Sequence, residues 1–165
     1  MLLSENTTAE KEALINRLVE FIRSVGIDVQ EGHTGDATFV PGLEIREGAL
    51  VVDRKKLSYP GDLLHEAGHI AVTVAGWRQS LNGNVTDGKP EKMGEELAAM
   101  LWSYAACIHI GIPPAVVFHP YGYKGDSDWI LDNYRKNVFI GMPLMEWMGM
   151  AKKDEFPKMI KWLRD

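Results

Sequence analysis

Leu63-Leu64-His65-Glu66-Ala67-Gly68-His69-Ile70-Ala71-Val72 decides how the rest of the chain is read. The stretch is H-E-x-x-H set in an apolar pattern of helical period. Residues four apart on an α-helix share a face one turn apart, so His65 and His69 present two imidazoles to one point. Glu66 stands beside them, within reach of a water held there. Two neutral nitrogen ligands, a general base and an open coordination position are what a zinc hydrolase requires. Ala67 and Gly68 keep the helix thin next to the ligands, so a second helix or a substrate can come close. Leu63, Leu64, Ile70, Val72 and Val74 surround the motif with apolar side chains. That separates it from two histidines on the wet side of a surface helix, because buried histidines need partners.

Working outward, Ser58-Tyr59-Pro60-Gly61-Asp62 reads as the helix entrance, with Ser58 or Tyr59 at the cap. The spacing predicts a helix over 60–75 that stops at Gly76. Upstream, residues 27–57 alternate short apolar runs with turn signals: strands at 27–29 and 37–40, a Pro41-Gly42 turn, and a hairpin of 43–46 and 49–53 around Glu47-Gly48. A small, mostly antiparallel sheet is expected there. Farther upstream, Thr7 or Thr8 caps an amphipathic helix that closes at Gly26. His33 lies in a loop and reads as a free surface histidine.

Downstream, residues 77–92 carry Asn82-Gly83 and Asp87-Gly88 and read as a long exposed loop. A second buried helix follows over 93–110. Pro113-Pro114 restarts a short helix, 119–126 is a loop, and Ser127 caps a helix to about residue 136. Gly141-Met142-Pro143 opens a Met- and Trp-rich helix, and 156–163 reads as a last amphipathic one.

Two histidines hold zinc poorly, and a catalytic site adds a third protein ligand. No histidine follows His69 closely; the next is His109. A glutamate from the following helix is the other solution, and Glu95 and Glu96 open it. On the helical wheel Glu96 borders the side of Leu97, Met100, Leu101, Tyr104 and Ile108, whereas Glu95 lies nearly opposite, so periodicity favours Glu96. Helix N-terminal acids favoured by the dipole explain one of the pair without a metal.

Composition narrows the classes. The 165 residues suit one domain, with a core over about 27–118 and a helical part over about 119–165. A formal charge of −5 gives no basic footprint for nucleic acid. The lone Cys107 excludes an intrachain disulfide and fits a reducing compartment. Residues 97–118 lack Asp, Glu, Lys and Arg, but Ser103, Tyr104, His109, Gly111, Pro113 and Pro114 break the run, so a buried helix is expected, not a membrane span. With no basic, apolar leader at the start, the expectation is a cytoplasmic protein.

On His65-Glu66-Ala67-Gly68-His69 and Glu95-Glu96-Leu97-Ala98-Ala99, the chain resembles zincin metallopeptidases of the glutamate-ligand type. Within them it is most similar to the small bacterial ImmA/IrrE-like branch. The likeness covers roughly residues 37–110; the branch usually has leucine at the position of Ala67 and Glu-x-Glu-Ala-Asn on the second helix. It implies an α+β zincin-like fold, Zn2+ held by His65, His69 and Glu96, Glu66 as catalytic base, and a peptide or protein substrate. Donors for a transition-state oxyanion are sought in the glycine-rich loop, where His119, Tyr121, Tyr123 and Lys124 stand. An extended peptide fits the sheet edge near 43–53. Met142, Met145, Met148, Met150 and Trp147 read as core packing, and Cys107 as a small core residue. The rival is a zincin scaffold without catalysis, serving sensing or partner binding with a structural or absent metal. A hydrolase of non-peptide bonds is a third possibility.

Overall fold

Ala49-Leu50-Val51-Val52 has no polar side chain, so a strand built from it must be covered on both faces. In the computed structural model, which describes residues 2–83 and 92–165, all four residues are buried in the central strand of a three-stranded sheet. The order of elements is α1 (Leu2–Ser24), β1 (Val29–Glu31), β2 (Leu43–Arg46), β3 (Ala49–Val52), α2 (Asp62–Ala71), α3 (Met93–Ile110), α4 (Ser127–Arg135) and α5 (Met142–Trp147). This is an α+β arrangement. No helix among the described residues is long and apolar enough to cross a membrane.

β2 and β3 form the expected hairpin, with Leu43 opposite Val52 and Arg46 opposite Ala49. Its two-residue turn needs positive φ at both positions, and Glu47 and Gly48 supply it. Burial alternates along β2: Leu43 and Ile45 face the core and Arg46 faces solvent. β1, however, pairs with β3 in parallel, Val29 opposite Leu50, so the sheet is mixed and not mostly antiparallel. Residues 37–40 are not a strand; Val40 alone makes a bridge, to Leu43. Just before them the backbone bonds to side chains instead of a neighbouring strand. Thr34 N–H donates to Asp53 Oδ2 at 3.2 Å, and Lys56 Nζ donates to Thr34 O at 2.7 Å.

The motif helix is shorter than its apolar pattern suggests. It starts at Asp62, preceded by Gly61, where a Cβ would fall 1.9 Å from Val116 O. Only glycine lets the segment 114–117 pass there, so neither Ser58 nor Tyr59 is the cap. It ends at Ala71, where the β-branched Val72, Thr73 and Val74 favour the helix only slightly less. Thr73 Oγ1 also takes the His69 carbonyl at 2.7 Å. The C-terminal segment seals that end, with Arg164 N–H donating to Ala71 O at 2.9 Å and Arg164 Nη1 to Val72 O at 3.2 Å. A 3-10 turn, Ala75–Ser80, follows. Gly83 N–H then donates to Ile45 O at 2.9 Å. The rest of the expected exposed loop, including Asp87-Gly88, lies outside the described residues.

α3 spans the expected residues and is buried on nearly all sides from Ala98 to Cys107. It packs on α2 where the sequence made α2 thinnest. A Cβ on Gly68 would lie 2.8 Å from Ala99 O and 3.2 Å from Ala99 Cα, so the two backbones are as close as side chains permit. Leu63, Leu64 and Ile70 fill the core beside this contact, each worth about 1.5–3 kcal/mol of burial.

Elsewhere four expectations are corrected. α1 begins well before Thr7 and Thr8, which lie inside it. Ser127 does not cap α4; its hydroxyl donates to His119 O at 2.7 Å. The segment 156–163 is an irregular strap of turns and bends, not a helix: Ile160 N–H bonds to Met150 O and Trp102 Nε1–H to Trp162 O. Met142, Met145, Met148 and Met150 are in the core, but Trp147 is exposed under the guanidinium of Arg164.

Candidate metal centre

The i, i+4 spacing on α2 sets His65 Nε2 and His69 Nε2 3.1 Å apart, with the rings edge-to-face. Glu96 reaches them from the first turn of α3. The Gly68–Ala99 contact makes that reach short, since Glu96 lies one turn before Ala99 on the same face. Glu96 Oε1 is 3.2 Å from His65 Nε2, and Oε2 is 2.9 Å from His69 Nε2. Glu95 turns away to Lys92, at 3.1 Å. The donors of His65, His69 and Glu96 lie within 4.8 Å of one another and could hold a metal ion.

The fit can be tested on the donor set. Four-coordinate zinc with bonds of about 2.0–2.2 Å spaces its ligand atoms roughly 3.3 Å apart, close to these separations. Glu96 Oε2 supplies the second indication. It is buried and no group donates a well-directed hydrogen bond to it, although His69 Nε2 is near. A buried carboxylate oxygen without a donor is unfavourable, and a cation between the three side chains would satisfy it.

The charges agree with this. Burial opposes ionisation of Glu96, yet the two imidazoles outweigh it and hold the carboxyl well below the usual carboxylate range. Burial likewise opposes a charged His65, and Glu96, with Glu66 and Asp62 behind it, reverses that and raises its pKa. Both shifts come from the attraction between a carboxylate and an imidazolium, an attraction that a cation at the centre would replace.

Glu66 is the next residue on α2 after His65. Among the described residues no hydrogen bond or ion pair engages it, and burial raises its pKa against the pull of His65 and His69. It lies at the junction of two clefts. One, of about 420 Å³, contains the three donor residues, and its walls include Tyr59, Pro41 and Tyr123. The other, of about 530 Å³, runs past Leu43, Glu44 and Ile45 of β2. Phe39, Val40 and Glu66 border both.

The glycine-rich loop does reach the cleft, but its donors are engaged otherwise than expected. His119 Nε2 donates to Asp62 Oδ1 at 2.9 Å, and its ring stacks on Tyr59 at 4.0 Å. The Tyr123 hydroxyl is 2.8 Å from His65 Nδ1. Tyr121 is 80% exposed at the rim and Lys124 lines the cleft. Asp62 and Tyr59 were not singled out from sequence. Asp62 reads there as a helix-start acid, although its i, i+3 spacing to His65 puts both on one face. Tyr59 carries no local signal. His33 is exposed and His109 packs against Phe21 and Trp162, both away from the centre. Cys107 is buried, its thiol pushed up to about 12 by burial, which leaves it unreactive. Neither a family model, nor a curated protein, nor a solved structure matches the chain.

Proposed function

We propose that this chain is a zinc-dependent hydrolase of the zincin type, acting on peptide bonds. The observation that carries the reading is the convergence of His65, His69 and Glu96 beside an unengaged, half-buried Glu66 at the junction of two clefts. His65, His69 and Glu96 would hold the ion. Zinc, when bound, supplies Lewis acidity and lowers the pKa of water from 15.7 to about 7. Glu66 takes the proton of the attacking water and returns it to the leaving nitrogen. Burial raises its pKa, which makes the carboxylate a stronger base for the first of these two transfers. An extended peptide would lie in the cleft that passes Leu43, Glu44 and Ile45, held by side-chain contacts, because Val40 and Gly83 already take Leu43 N–H and Ile45 O on the outer edge of β2.

The non-catalytic scaffold is the competing reading. A structural site has no use for a base, so Glu66 separates the two. Purified protein is expected to carry about one zinc per chain, the number a single three-ligand site holds. Glu66→Gln keeps the size of the side chain and removes the base. It should retain zinc and thermal stability, and lose at least about 10²-fold in cleavage of a mixed peptide library read by mass spectrometry. A wild type that binds zinc and cleaves nothing decides for the scaffold.

A further inference from the structure

We infer that Tyr123 is a positioning residue of the metal centre: its hydroxyl accepts the Nδ1–H of His65 and so fixes the tautomer and ring orientation that turn Nε2 toward the ion. The inference rests on the reading of His65, His69 and Glu96 as zinc ligands. A neutral imidazole carries one N–H, and the nitrogen that binds a metal must be the other one. Nε2 of His65 faces His69 and Glu96, so Nδ1 must carry the hydrogen and needs an acceptor. Among the described residues the Tyr123 hydroxyl, at 2.8 Å, is the hydrogen-bond partner of that nitrogen.

The tyrosine is built into its place. Its ring meets His65 edge-to-face at 5.3 Å and lies against the ring of the buried Phe118 at 5.1 Å. Tyr123 and Lys124 both take left-handed φ, +52° and +54°, which side chains rarely adopt. Such a conformation persists where the surroundings over-determine it. Here Ser127 Oγ and Gly122 N–H both bond to His119 O, and Asp126 N–H bonds to Tyr123 O. The loop thus clasps α2 twice on one face, His119 on Asp62 and Tyr123 on His65. This assigns Tyr123 to the ligand instead of to a transition-state oxyanion.

The test is zinc affinity, measured by competition with a chromophoric chelator for wild type and Tyr123→Phe. The phenylalanine keeps the packing on Phe118 and removes the acceptor. Affinity should fall about 10- to 100-fold, the usual effect of losing an outer partner of a ligating histidine, while the unfolding temperature of the chelator-treated protein stays at the wild-type value. Long-range proton–nitrogen correlation of the zinc-loaded wild type should place the His65 hydrogen on Nδ1. If the variant does not fold, a slowly exchanging Nδ1–H with a nuclear Overhauser contact to the Tyr123 ring protons decides for the inference, and a rapidly exchanging one without that contact overturns it. Equal zinc affinities, or a hydrogen on Nε2 in the loaded protein, overturn the inference alone. A wild type that takes up no zinc overturns it together with the reading of the site.

Discussion

Replacing Gly68 by alanine tests whether the close approach of α2 and α3 assembles the centre. Two effects oppose each other. Alanine is the better helix former, by about 0.8–1.0 kcal/mol in a helix interior. Against that, the new Cβ would meet Ala99 O at 2.8 Å, Ala99 Cα at 3.2 Å and Ala99 Cβ at 3.3 Å. Ordinary contacts of carbon atoms need about 3.5–4.0 Å, so the helices must part by roughly 0.5 Å. The atoms struck include backbone, which cannot swing aside, so the overpacking falls in the upper part of its usual range of about 1–3 kcal/mol. The clash wins, and chelator-treated Gly68→Ala should be less stable by about 1–2 kcal/mol in chemical unfolding. Zinc affinity should fall more steeply in proportion. Glu96 rides on the displaced helix, and metal–ligand distances tolerate only about 0.2 Å, so a loss of about tenfold or more is expected in chelator competition. A variant more stable than wild type by about 1 kcal/mol, with unchanged zinc affinity, would refute the argument that this contact sets the donor spacing.

Glu96→Ala should abolish tight zinc binding while Glu95→Ala, which loses only the half-buried partner Lys92, leaves it within about threefold, read by the same competition. The chelator-treated protein should lose thermal stability as pH rises above about 6.5, because the raised His65 pKa gives a contribution present below that ordinary value and lost as pH rises through the folded one. Asp62 and Glu66, both raised chiefly by burial, act in the same direction. The lowered Glu96 pKa gives a contribution present above the ordinary carboxylate value and lost only as pH falls through the folded one. Glu96→Gln should therefore flatten that decline; an unchanged profile in unfolding scans would remove the Glu96–His65 pairing as its cause. Zinc affinity should run the opposite way and rise with pH, since the ion displaces the proton of the cluster.

The sequence by itself determined what depends on near neighbours along the chain. The H-E-x-x-H spacing places two imidazoles on one helical face whatever the surroundings. The uncharged run after Glu96 marks α3, whose extent matches the spacing. Glu47-Gly48 can take the two positive φ angles of a tight hairpin, and the chain turns there. Wheel periodicity leaned toward Glu96 over Glu95, but its meeting with His65 and His69 depends on Gly68 lying against Ala99, thirty-one positions away. The end of α2 at Ala71 was hidden for a similar reason. The apolar pattern runs on to Val74, whereas Arg164, from the far end of the chain, takes the carbonyls of Ala71 and Val72. The strap at 156–163 looked amphipathic and helical, yet its carbonyl and amide partners lie on Trp102 and Met150. Only the tertiary structure paired His119 with Asp62 and Tyr123 with His65. Periodicity records which side of an element is apolar; it carries no record of which distant polar atom will lie opposite. That is settled when the core closes and each buried donor and acceptor must find a partner.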